Sequence, residues 1–518
     1  MTTTETAGRR AGRNTINDAL SRAARRFGSQ TALSYLDRSW SFSGLYDAAS
    51  RIALSLQEAG LKKGDRVAAY GTNSDAFFLL WLACTRAGFV HVPINYGLVG
   101  RELEYILSNS GASALYWDEA LADKAKSVLP ALPALHLSGP LQELLPIAQS
   151  ATQPPRDLCP DLCDDDLAQL LYTSGTTAAP KGAMMTHRAL LAEYTSSIIE
   201  LDFSREDRAL AALPLYHSAQ MHVFVMPQLL MGAHSRLIAT PQPETCLRLI
   251  EEEQITSFFA PPTVWISLLR SPDFDRRDLT SLKFVYYGAS IMPVPVLQEL
   301  RARLPTAQPY NCYGQSEIGP LATVLRPEEH DAHPASAGKP IFNVETRLVD
   351  EQMQDVPPGT QGEIIHRSPQ LLTGYWAAPE ATAEAFTGGW FHSGDVGVMD
   401  EEGYLTIVDR VKDIIKTGGT VVASREVEEV IFTHPSVKEV AVVGLPHPKW
   451  IEAVVAFVVL RPGEPRDEAA IMAHAKAGLA PFKLPKAVIW LEDLPRNTAG
   501  KILKRELRLH HEAHFASA

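Results

Sequence analysis

The pattern of apolar and polar positions along this chain predicts helices and strands in alternation. Residues 45–59 predict a helix that ends at Gly60, and residues 66–70 predict a short strand. A second predicted helix covers residues 76–87 and is closed by Gly88. Short apolar runs between helices are typical of an α/β protein whose parallel strands are buried.

Two stretches interrupt this alternation. Residues 127–160 are rich in Pro, Leu and Ala, and we interpret them as a variable connection. Near residue 410 a strand predicted over residues 404–408 runs into the charged junction 409–413. Beyond the junction the pattern predicts a compact set of elements: a helix after Ser424, strands near 440–443 and 454–460, a helix over 468–477 and a strand over 487–491.

The length of 518 residues exceeds what a single core needs and predicts roughly three folding units. Residues 1–13 are rich in Thr, Gly and Arg, and we predict that they are disordered. The junction places a large N-terminal domain over residues 14–409 and a small C-terminal domain over residues 410–518.

Composition narrows the class of protein. The formal net charge is −12, so no overall positive field attracts nucleic acid or an anionic membrane, and an anionic substrate needs local cations. Five cysteines are too few for a disulfide framework in a chain of this length. Arg9-Arg10 is followed by no apolar segment, and the most apolar run, residues 76–84, is too short to span a bilayer. We therefore expect a cytoplasmic protein without a membrane span.

The strongest local signal is the segment 170–182, Leu-Leu-Tyr-Thr-Ser-Gly-Thr-Thr-Ala-Ala-Pro-Lys-Gly. A strand runs here into a small, hydroxyl-rich loop, where backbone N–H groups, hydroxyls and Lys181 can approach a polyphosphate. It is not a Walker A loop, which needs Gly in place of Pro180 and Ser or Thr in place of Gly182. Taken alone, the segment is also compatible with a plain Ser/Thr turn.

The second signal is the segment 310–317, Tyr-Asn-Cys-Tyr-Gly-Gln-Ser-Glu. Glu317 follows a turn and can hold Mg²⁺, while Tyr313 offers a flat face to a purine; a solvated surface turn is the alternative. Ser316 is not a serine-hydrolase nucleophile, because Gly-x-Ser-x-Gly needs Gly in place of Ile318.

Two further segments end in charged residues. Residues 388–395 end in Asp395, which can accept both hydroxyls of a ribose, and residues 495–501 present Lys501 at the end of a loop. Each alone is also compatible with a capping Asp or a solvated Lys. Cys159 and Cys163 lack a second Cys or His pair for zinc, and no Gly-x-Gly-x-x-Gly fingerprint occurs.

In this order, the four segments resemble the acyl-adenylate-forming superfamily of acyl-CoA synthetases, luciferases and peptide-synthetase adenylation domains. The resemblance extends from about residue 15 to 508. Residues 214–222, Pro-Leu-Tyr-His-Ser-Ala-Gln-Met-His, and residues 418–428 make the chain most similar to bacterial fatty-acyl-CoA synthetases. The resemblance implies an α/β fold with a large, multi-subdomain AMP-binding domain and a small, mobile α+β lid that turns about Lys412.

The resemblance also assigns site residues. The phosphates of ATP would be bound by Thr173, Ser174, Gly175, Thr176, Thr177 and Lys181. The adenine would be held by Gly288, Ala289, Ser290, Asn311, Cys312, Tyr313 and Gly314, with Tyr313 stacked on it. Ser316 stands where the family usually has Thr, Asp395 and Arg410 would hold the ribose, and Gly418 and Gly419 would line the thiol tunnel. The residues assigned to catalysis are Lys501, Thr176, His217 and Glu317, the last of which would position Mg²⁺.

Three positions depart from the family pattern. Ala178 replaces the usual Gly of the phosphate loop, Thr420-Val421 replaces a frequent Glu-Asn, and His447 stands where Asp is common. The first substitution removes some backbone freedom but leaves adenylation plausible. The other two put the thiol-side contacts in question.

The implied reaction is activation of a small carboxylic acid with ATP and Mg²⁺, followed by transfer to coenzyme A. We expect free coenzyme A as acceptor because there is no insertion of the fatty-acyl-AMP-ligase type and no carrier domain after residue 518. One alternative is a stand-alone enzyme that loads a carrier protein, and another is a nucleotide-binding regulator without catalysis. The sequence is compatible with a homodimer.

The implied acyl pocket predicts the chemistry of the acid. The segments 217–221, 259–265, 286–290, 312–314 and 318–321 contain no Lys, Arg, Asp or Glu. A second carboxylate or an ammonium group would be buried there without a partner, so we expect an apolar monocarboxylic acid, first of all a medium- or long-chain fatty acid. We interpret His222 as a neutral core histidine, and Trp265 and Tyr287 leave an aryl acid open.

Overall fold

The structure, a computed structural model, describes residues 11–155, 157–173, 180–290, 292–417, 420–496 and 502–515. A π-helix covers Ala219–Val225. The α-helices are α1 (Ile16–Phe27), α2 (Phe42–Glu58), α3 (Asp75–Ala87), α4 (Arg101–Ser110), α5 (Ala122–Val128), α6 (Leu144–Ala148), α7 (His187–Glu200), α8 (Met226–Met231), α9 (Pro243–Glu252), α10 (Pro262–Arg270), α11 (Val294–Arg303), α12 (Pro379–Ala385), α13 (Ser424–Phe432), α14 (Glu468–Gly478) and α15 (Lys504–His511).

The strands form four sheets. They are β1 (Thr31–Tyr35), β2 (Arg38–Ser41), β3 (Arg66–Tyr70), β4 (Val90–Ile94), β5 (Ala112–Trp117), β6 (Leu137–Pro140), β7 (Leu167–Thr173), β8 (Lys181–Thr186), β9 (Arg208–Ala211), β10 (His234–Leu237), β11 (Ser257–Ala260), β12 (Phe284–Gly288), β13 (Gln308–Gly314), β14 (Leu321–Leu325), β15 (Lys339–Pro340), β16 (Glu345–Val349), β17 (Gln361–Arg367), β18 (Phe391–Met399), β19 (Leu405–Arg410), β20 (Ile415–Thr417), β21 (Thr420–Val422), β22 (Val437–His447), β23 (Ile451–Leu460) and β24 (Ala487–Leu491).

The chain divides into two compact units. The first contains Met1–Glu345 and His366–Phe391, and the second contains Thr346–Ile365 and His392–Ala518. Lys412 lies within the second unit. The predicted domain boundary at residue 410 and the hinge at Lys412 stay predictions.

The first unit is built on two mainly parallel sheets, which confirms the α/β class. One sheet has the order β6-β5-β3-β4-β7-β8, and the other has the order β15-β14-β13-β12-β11-β9-β10-β1-β2. In the second sheet the run from β1 to β13 through β10, β9, β11 and β12 is parallel. Because parallel strands end on the same side, their carboxyl ends form a common edge for ligands.

The predicted elements agree closely with this part of the chain. Strand β3 has the predicted bounds, and α3 differs from the prediction by one residue. Helix α2 begins at Phe42, three residues before the predicted start, because the Ser41 hydroxyl accepts a hydrogen bond from the Gly44 N–H and caps the helix. Every residue of α3 is buried, which explains why its sequence is so apolar.

The interpretation of residues 127–160 as a mere connection is wrong. Residues Leu137–Pro140 form β6, which pairs in parallel with β5 at the edge of its sheet. Helix α6 follows, and its Leu144 and Ala148 are buried in the main hydrophobic core. The four-residue strand contains Gly139 and Pro140, so it carries too little apolar alternation to be distinguished from a loop; proline is tolerated because the strand is at an edge.

The second unit contains a sheet that is covered on both faces. Strands β22 and β23 pair along their length, from Val437 with Leu460 to His447 with Ile451. Val440 and Val442 pack in one hydrophobic cluster with residues of α13 and α14, while alternate residues of β22 pack in another with Leu507 of α15. Burial of both faces explains the almost unbroken apolar run in these strands.

Among the described helices, none combines the length and the apolar character that a membrane crossing requires.

Candidate active site

A pair of antiparallel strands presents the first candidate residues. Thr173 of β7 pairs with Lys181 of β8 at the end of the ladder from which the connecting loop leaves. Lys181 Nζ lies 5.4 Å from the centroid of the Tyr375 ring, a cation–π distance. The loop assigned to the phosphates falls between the paired residues, and its Ser174, Gly175, Thr176 and Thr177 lie outside the described residues, as does Ala178.

Glu317 connects this hairpin to the other sheet. It lies in a short turn after β13 and is buried. Its Oε1 accepts hydrogen bonds from the Thr173 hydroxyl at 3.0 Å and from the Tyr375 hydroxyl at 3.2 Å. The structure therefore brings together Thr173, Lys181 and Glu317, which the sequence named from two distant segments.

Tyr375 is a site residue that the sequence analysis missed. Burial, together with the neighbouring Glu317 carboxylate, raises the pKa of Tyr375 well above its ordinary value, so the phenol stays a hydrogen-bond donor. Its position beside Glu317 depends on a contact across 58 residues. The only local signal was the sequence Gly374-Tyr375-Trp376, which resembles many turns.

The surroundings of Glu317 fit a magnesium ion. Both hydrogen-bond donors to Oε1 are neutral hydroxyls, and Oε2 receives no hydrogen bond from the described residues. No group of three or more His, Cys, Asp or Glu side chains occurs among these residues that could enclose a metal on its own. Mg²⁺ often takes one or two protein carboxylates and completes its shell with phosphate oxygens and water. Glu317 is therefore suited to hold Mg²⁺ together with a nucleotide.

The segments assigned to adenine lie next to each other at the carboxyl ends of two parallel strands. Gly288 of β12 pairs with Cys312 of β13, and a Cβ at Gly288 would lie 2.2 Å from the Cys312 carbonyl oxygen. Ala289 has a φ of +62°, and it is exposed together with Ser290. Asn311 donates from Nδ2 to the Ser336 carbonyl at 2.8 Å. This edge leaves an open backbone surface of the kind that binds nucleotides.

Cys312 takes part in packing rather than in chemistry at this edge. Its thiol is buried in a hydrophobic cluster with Phe259 and Tyr286, and burial raises its pKa well above the ordinary value. Only the backbone of Cys312 is then suited to contact a ligand. Tyr313, the residue predicted to stack on adenine, is partly exposed.

The turn that carries Glu317 also contacts the segment 214–222. The hydroxyls of Ser316 and Ser218 are 2.7 Å apart, so the residue that replaces the family's usual Thr holds the neighbour of His217. A Cβ at Gly314 would lie 2.0 Å from the Pro320 carbonyl oxygen, which allows only glycine there. Gln315 Nε2 is buried and has no partner among the described residues.

In the second unit, Asp395 and Arg410 form the pair that the sequence analysis proposed for ribose. They face each other on the antiparallel strands β18 and β19, and Arg410 Nε lies 3.0 Å from Asp395 Oδ1. Asp395 is buried, and its backbone N–H donates to the Ser393 hydroxyl. Gly418, Gly419 and Lys501 lie outside the described residues, and their assigned roles stay predictions.

The predicted acyl-lining segments do not share one surface. Phe259, Tyr286 and Leu321 belong to one hydrophobic cluster, in which Phe259 stacks on Phe224 with ring centroids 4.2 Å apart. Trp265 and Tyr287 belong to a different cluster among the helices of the nine-stranded sheet. Their aromatic side chains are therefore core residues and give no separate support to an aryl substrate.

His222 lies in the π-helix and forms part of a buried chain of hydrogen bonds. Its Nδ1 accepts from the Tyr194 hydroxyl at 2.8 Å, and its Nε2 is 2.7 Å from Gln169 Oε1. Gln169 Nε2 in turn is 3.0 Å from His91 Nδ1. Burial lowers the pKa of both histidines to about 3, so His222 is neutral at physiological pH, as the sequence analysis expected.

The buried hydrogen bonds of His222 predict that the folded protein loses stability in mild acid. The pKa of His222 is lower in the folded protein than the unperturbed value of about 6.5, so the unfolded chain binds more protons below that pH. Stability is then lost as pH falls from about 6.5 toward 3, by about 2 kcal/mol at pH 5 from this residue alone. We expect urea titrations at pH 7 and pH 5 to show a smaller loss in His222→Gln than in the wild type. Equal losses would contradict the neutral assignment.

Comparison with known proteins identifies the family. The model of the AMP-binding enzyme family matches residues 20–376, and that of the AMP-binding enzyme C-terminal domain matches residues 426–501. The chain belongs to the AMP-binding enzyme family. Within this family, the two matched regions correspond to a large N-terminal and a small C-terminal part, which confirms the predicted fold class.

Its relatives in the AMP-binding enzyme family ligate carboxylic acids to thiols. A feruloyl-CoA synthase of an Amycolatopsis species is 36% identical, over 94% of this chain and 97% of the relative. A fatty acid–[acyl-carrier-protein] ligase, ScoC, of Streptomyces coeruleorubidus is 33% identical, over 91% of each chain. A long-chain-fatty-acid–CoA ligase of Escherichia coli O6:H1 is 33% identical, over 95% of this chain and 93% of the relative.

Solved structures of this family agree with the fold. ATP-bound MatB from Rhodopseudomonas palustris superimposes with a TM-score of 0.89 at 30% identity, over 97% of this chain and 100% of that chain. The protein is an AMP-forming acid–thiol ligase, and ATP and coenzyme A are substrates of its family. The sequence-based identification of the superfamily and of the enzyme class is confirmed.

Proposed function

We propose that this enzyme activates an apolar monocarboxylic acid as an acyl-adenylate and transfers the acyl group to coenzyme A. The observation that carries the proposal is that the segments named for the acyl pocket contain no Lys, Arg, Asp or Glu, and that Phe259, Tyr286 and Leu321 from three of them pack in one hydrophobic cluster. His222, which could have met a second carboxylate as a cation, is neutral and already bonded on both ring nitrogens. A diacid or an amino acid would therefore leave a buried charge unpaired.

The chemistry proceeds in two half-reactions. A carboxylate oxygen of the acid attacks the α-phosphorus of ATP, and the bond to pyrophosphate breaks. The sulfur of coenzyme A then attacks the acyl carbon, AMP leaves with the electron pair, and the thiol loses its proton to solvent or a base. All reacting groups are anionic, so we assign the enzyme the tasks of charge neutralisation and positioning.

The residues divide these tasks between them. Lys181 and Thr173, at the loop end of the hairpin, and the loop between them would hold the phosphates. Glu317 would hold Mg²⁺, which would neutralise phosphate charge when bound. Gly288–Ser290 and Asn311–Gly314 would hold the adenine, and Asp395 with Arg410 would hold the ribose. Lys501 would neutralise charge during adenylation, and Lys412 would be the hinge.

Two kinds of apolar acid are candidate substrates. A medium- or long-chain fatty acid is the first candidate, because the relatives include long-chain-fatty-acid–CoA ligases. An aryl acid such as ferulate is the second candidate, because feruloyl-CoA synthases reach 36% identity over 94% of this chain. Each buried methylene contributes about 0.8 kcal/mol, so a fatty-acid enzyme should gain catalytic efficiency as the chain lengthens until the pocket is full.

Pyrophosphate release in the presence of ATP and Mg²⁺ tests the proposal with hexanoate, octanoate, dodecanoate, ferulate, benzoate, malonate and an α-amino acid. We expect kcat/KM to rise by roughly tenfold for each two methylenes added, with malonate and the amino acid at least a hundredfold below the best acid. A clear preference for malonate or the amino acid would refute the apolar pocket. A preference for ferulate or benzoate would replace only the aliphatic candidate by the aryl one.

The same assay with and without coenzyme A separates the two acceptors. Coenzyme A should give a thioester and sustained turnover, whereas an enzyme dedicated to a carrier protein should stop after one equivalent of adenylate. The carrier-protein alternative is supported by the 33% identity to ScoC. Thioester formation only with an added phosphopantetheinylated carrier would favour that alternative.

A further inference from the structure

One buried side chain, that of Gln370, contacts the backbone of the turn that carries Glu317. Gln370 Nε2 lies 2.9 Å from the Ile318 carbonyl oxygen and 2.6 Å from the Leu321 carbonyl oxygen. Two residues further on, the Leu372 N–H donates to the Glu317 carbonyl oxygen at 2.8 Å. The segment that contains Gln370 therefore binds the turn at three carbonyl groups, that of Glu317 itself and two that follow it.

Gln370 is itself held by a buried carboxyl group of α7. Glu193 Oε2 lies 2.6 Å from Gln370 Nε2, and Glu193 Oε1 accepts from the Leu321 N–H at 3.3 Å. On the other side of the amide, the Ser196 hydroxyl donates to Gln370 Oε1 at 3.0 Å. The two side chains and the turn thus form one hydrogen-bonded cluster that belongs entirely to the first unit.

The cluster is sealed from solvent and contains no cation among the described residues. Glu193 and Gln370 have no exposed surface, and in the described part of the chain the hydrogen-bond partners of Glu193 are Ser197, Leu321 and Gln370. Burial raises the pKa of Glu193 well above its ordinary value. The hydrogen bonds from Ser197 and Leu321 lower this pKa, but their effect is smaller than that of burial. Buried polar clusters of this kind fix one geometry, because any partner that is removed leaves the others unsatisfied.

The turn packs closely over this cluster at Gly319. Gly319 has a φ of +102°, and a Cβ there would lie 3.1 Å from the Gln370 carbonyl oxygen and 3.2 Å from the Glu193 side chain. Among the described residues, the hydroxyls of Thr173 and Tyr375 hydrogen-bond to the Glu317 carboxylate itself. The backbone that Gln370 and Glu193 hold fixes the position from which the Glu317 side chain extends.

We propose that Gln370 and Glu193 are positioning residues that aim the Glu317 carboxylate at Mg²⁺ bound to ATP. This inference rests on the proposed role of Glu317. Gln370 and Glu193 touch neither nucleotide nor acid. They act through Glu317, so their loss weakens the magnesium-dependent part of nucleotide binding and spares the rest.

Isothermal titration calorimetry of ATP with and without Mg²⁺ tests this role without turnover. Gln370→Leu keeps the side-chain volume and removes the amide. In this variant we expect the ratio of ATP affinity with Mg²⁺ to ATP affinity without Mg²⁺ to fall about tenfold. ATP affinity without Mg²⁺ should change less than about twofold. Gln228→Leu is the matched control: Gln228 is equally buried, bonds to the Ser257 hydroxyl at 3.3 Å, and should leave both affinities unchanged.

A double-mutant cycle with Glu317→Gln decides whether the effect passes through Glu317. In that background Gln370→Leu should cost less than about twofold in Mg²⁺-dependent affinity, because the group that it positions is already gone. The inference would be overturned if Gln370→Leu lowered Mg²⁺-dependent ATP affinity as much in the Glu317→Gln background as in the wild type. It would also be overturned if Gln370→Leu lowered ATP affinity equally with and without Mg²⁺.

If Gln370→Leu does not fold, Ser196→Ala must show a smaller loss of ATP affinity that is likewise selective for Mg²⁺. The absence of that loss would count against the proposal. A wild type that binds Mg-ATP but makes no thioester from any acid would refute the proposed function and leave this test standing.

Discussion

Lys501→Ala should nearly abolish acyl-adenylate formation and leave thioester formation from supplied acyl-AMP largely intact. The family resemblance assigns this lysine, at the end of the motif 495–501, to neutralising charge on the carboxylate and the α-phosphate during adenylation. A unit charge pair at 4 Å near a protein surface is worth about 4 kcal/mol, which corresponds to roughly a thousandfold in rate. In the second half-reaction the thiol of coenzyme A displaces AMP from the acyl-adenylate and forms the thioester. The attack at the α-phosphorus is then already complete, so we expect this step not to need the lysine.

The two half-reactions can be measured separately on the same preparation. Pyrophosphate release reports adenylation, and the loss of free thiol after addition of synthetic acyl-AMP reports transfer to coenzyme A. Lys476→Ala offers a matched control, because Lys476 is an exposed lysine of α14 in the same unit. Equal losses of Lys501→Ala in both assays would remove Lys501 from its assigned role.

Lys412→Pro should leave adenylation largely intact and reduce thioester formation by about a hundredfold. Lys412 is exposed and lies in a turn in which the Asp413 N–H donates to the Arg410 carbonyl oxygen at 2.8 Å. Proline fixes φ and restricts the preceding residue, so it limits the torsions by which a hinge rotates. If the enzyme must turn about Lys412 between its half-reactions, the second one suffers selectively.

Two further measurements test whether the effect of Lys412→Pro comes from the restricted backbone and not from loss of the side chain or unfolding. Lys412→Ala keeps the backbone free and should retain both half-reactions within a few fold. The thermal midpoint of Lys412→Pro should stay close to that of the wild type, because the ion pairs of Arg410 with Asp395 and of Asp413 with Arg508 remain. A parallel loss of adenylation and thioester formation would show that the hinge lies elsewhere or that the substitution unfolds the second unit.

Sequence pattern predicted those parts of the fold that local physics determines. Strands β3 and β24 have the predicted bounds, because each is a short apolar run between polar residues. The start of α2 was missed by three residues, since the cap at Ser41 precedes the apolar positions that mark the helix. Strand β6 was missed because four residues with Gly139 and Pro140 carry no strand pattern.

The same distinction holds for the candidate site. Glu317, Lys181, Asp395 and Arg410 could be named because each lies in a recognisable motif. The structure shows that Asp395 contacts Arg410, while their assigned role at the ribose stays a prediction. Tyr375, Gln370 and Glu193 lie in no motif, and their contacts span 58, 52 and 128 residues of sequence. Tertiary packing brings such residues together, so a local sequence pattern does not predict their contacts.

The register of the β7–β8 hairpin sets a rule for how this site can vary. Side chains alternate between the two faces of a strand, so each insertion or deletion of one residue in β8 would exchange its faces. Thr173 opposite Lys181 is the last pair of the ladder, next to Tyr375, whose ring lies under the lysine ammonium. A transplant of this hairpin into another scaffold must therefore restrict any insertion or deletion in β8 to an even number of residues, or Lys181 will face away from Tyr375.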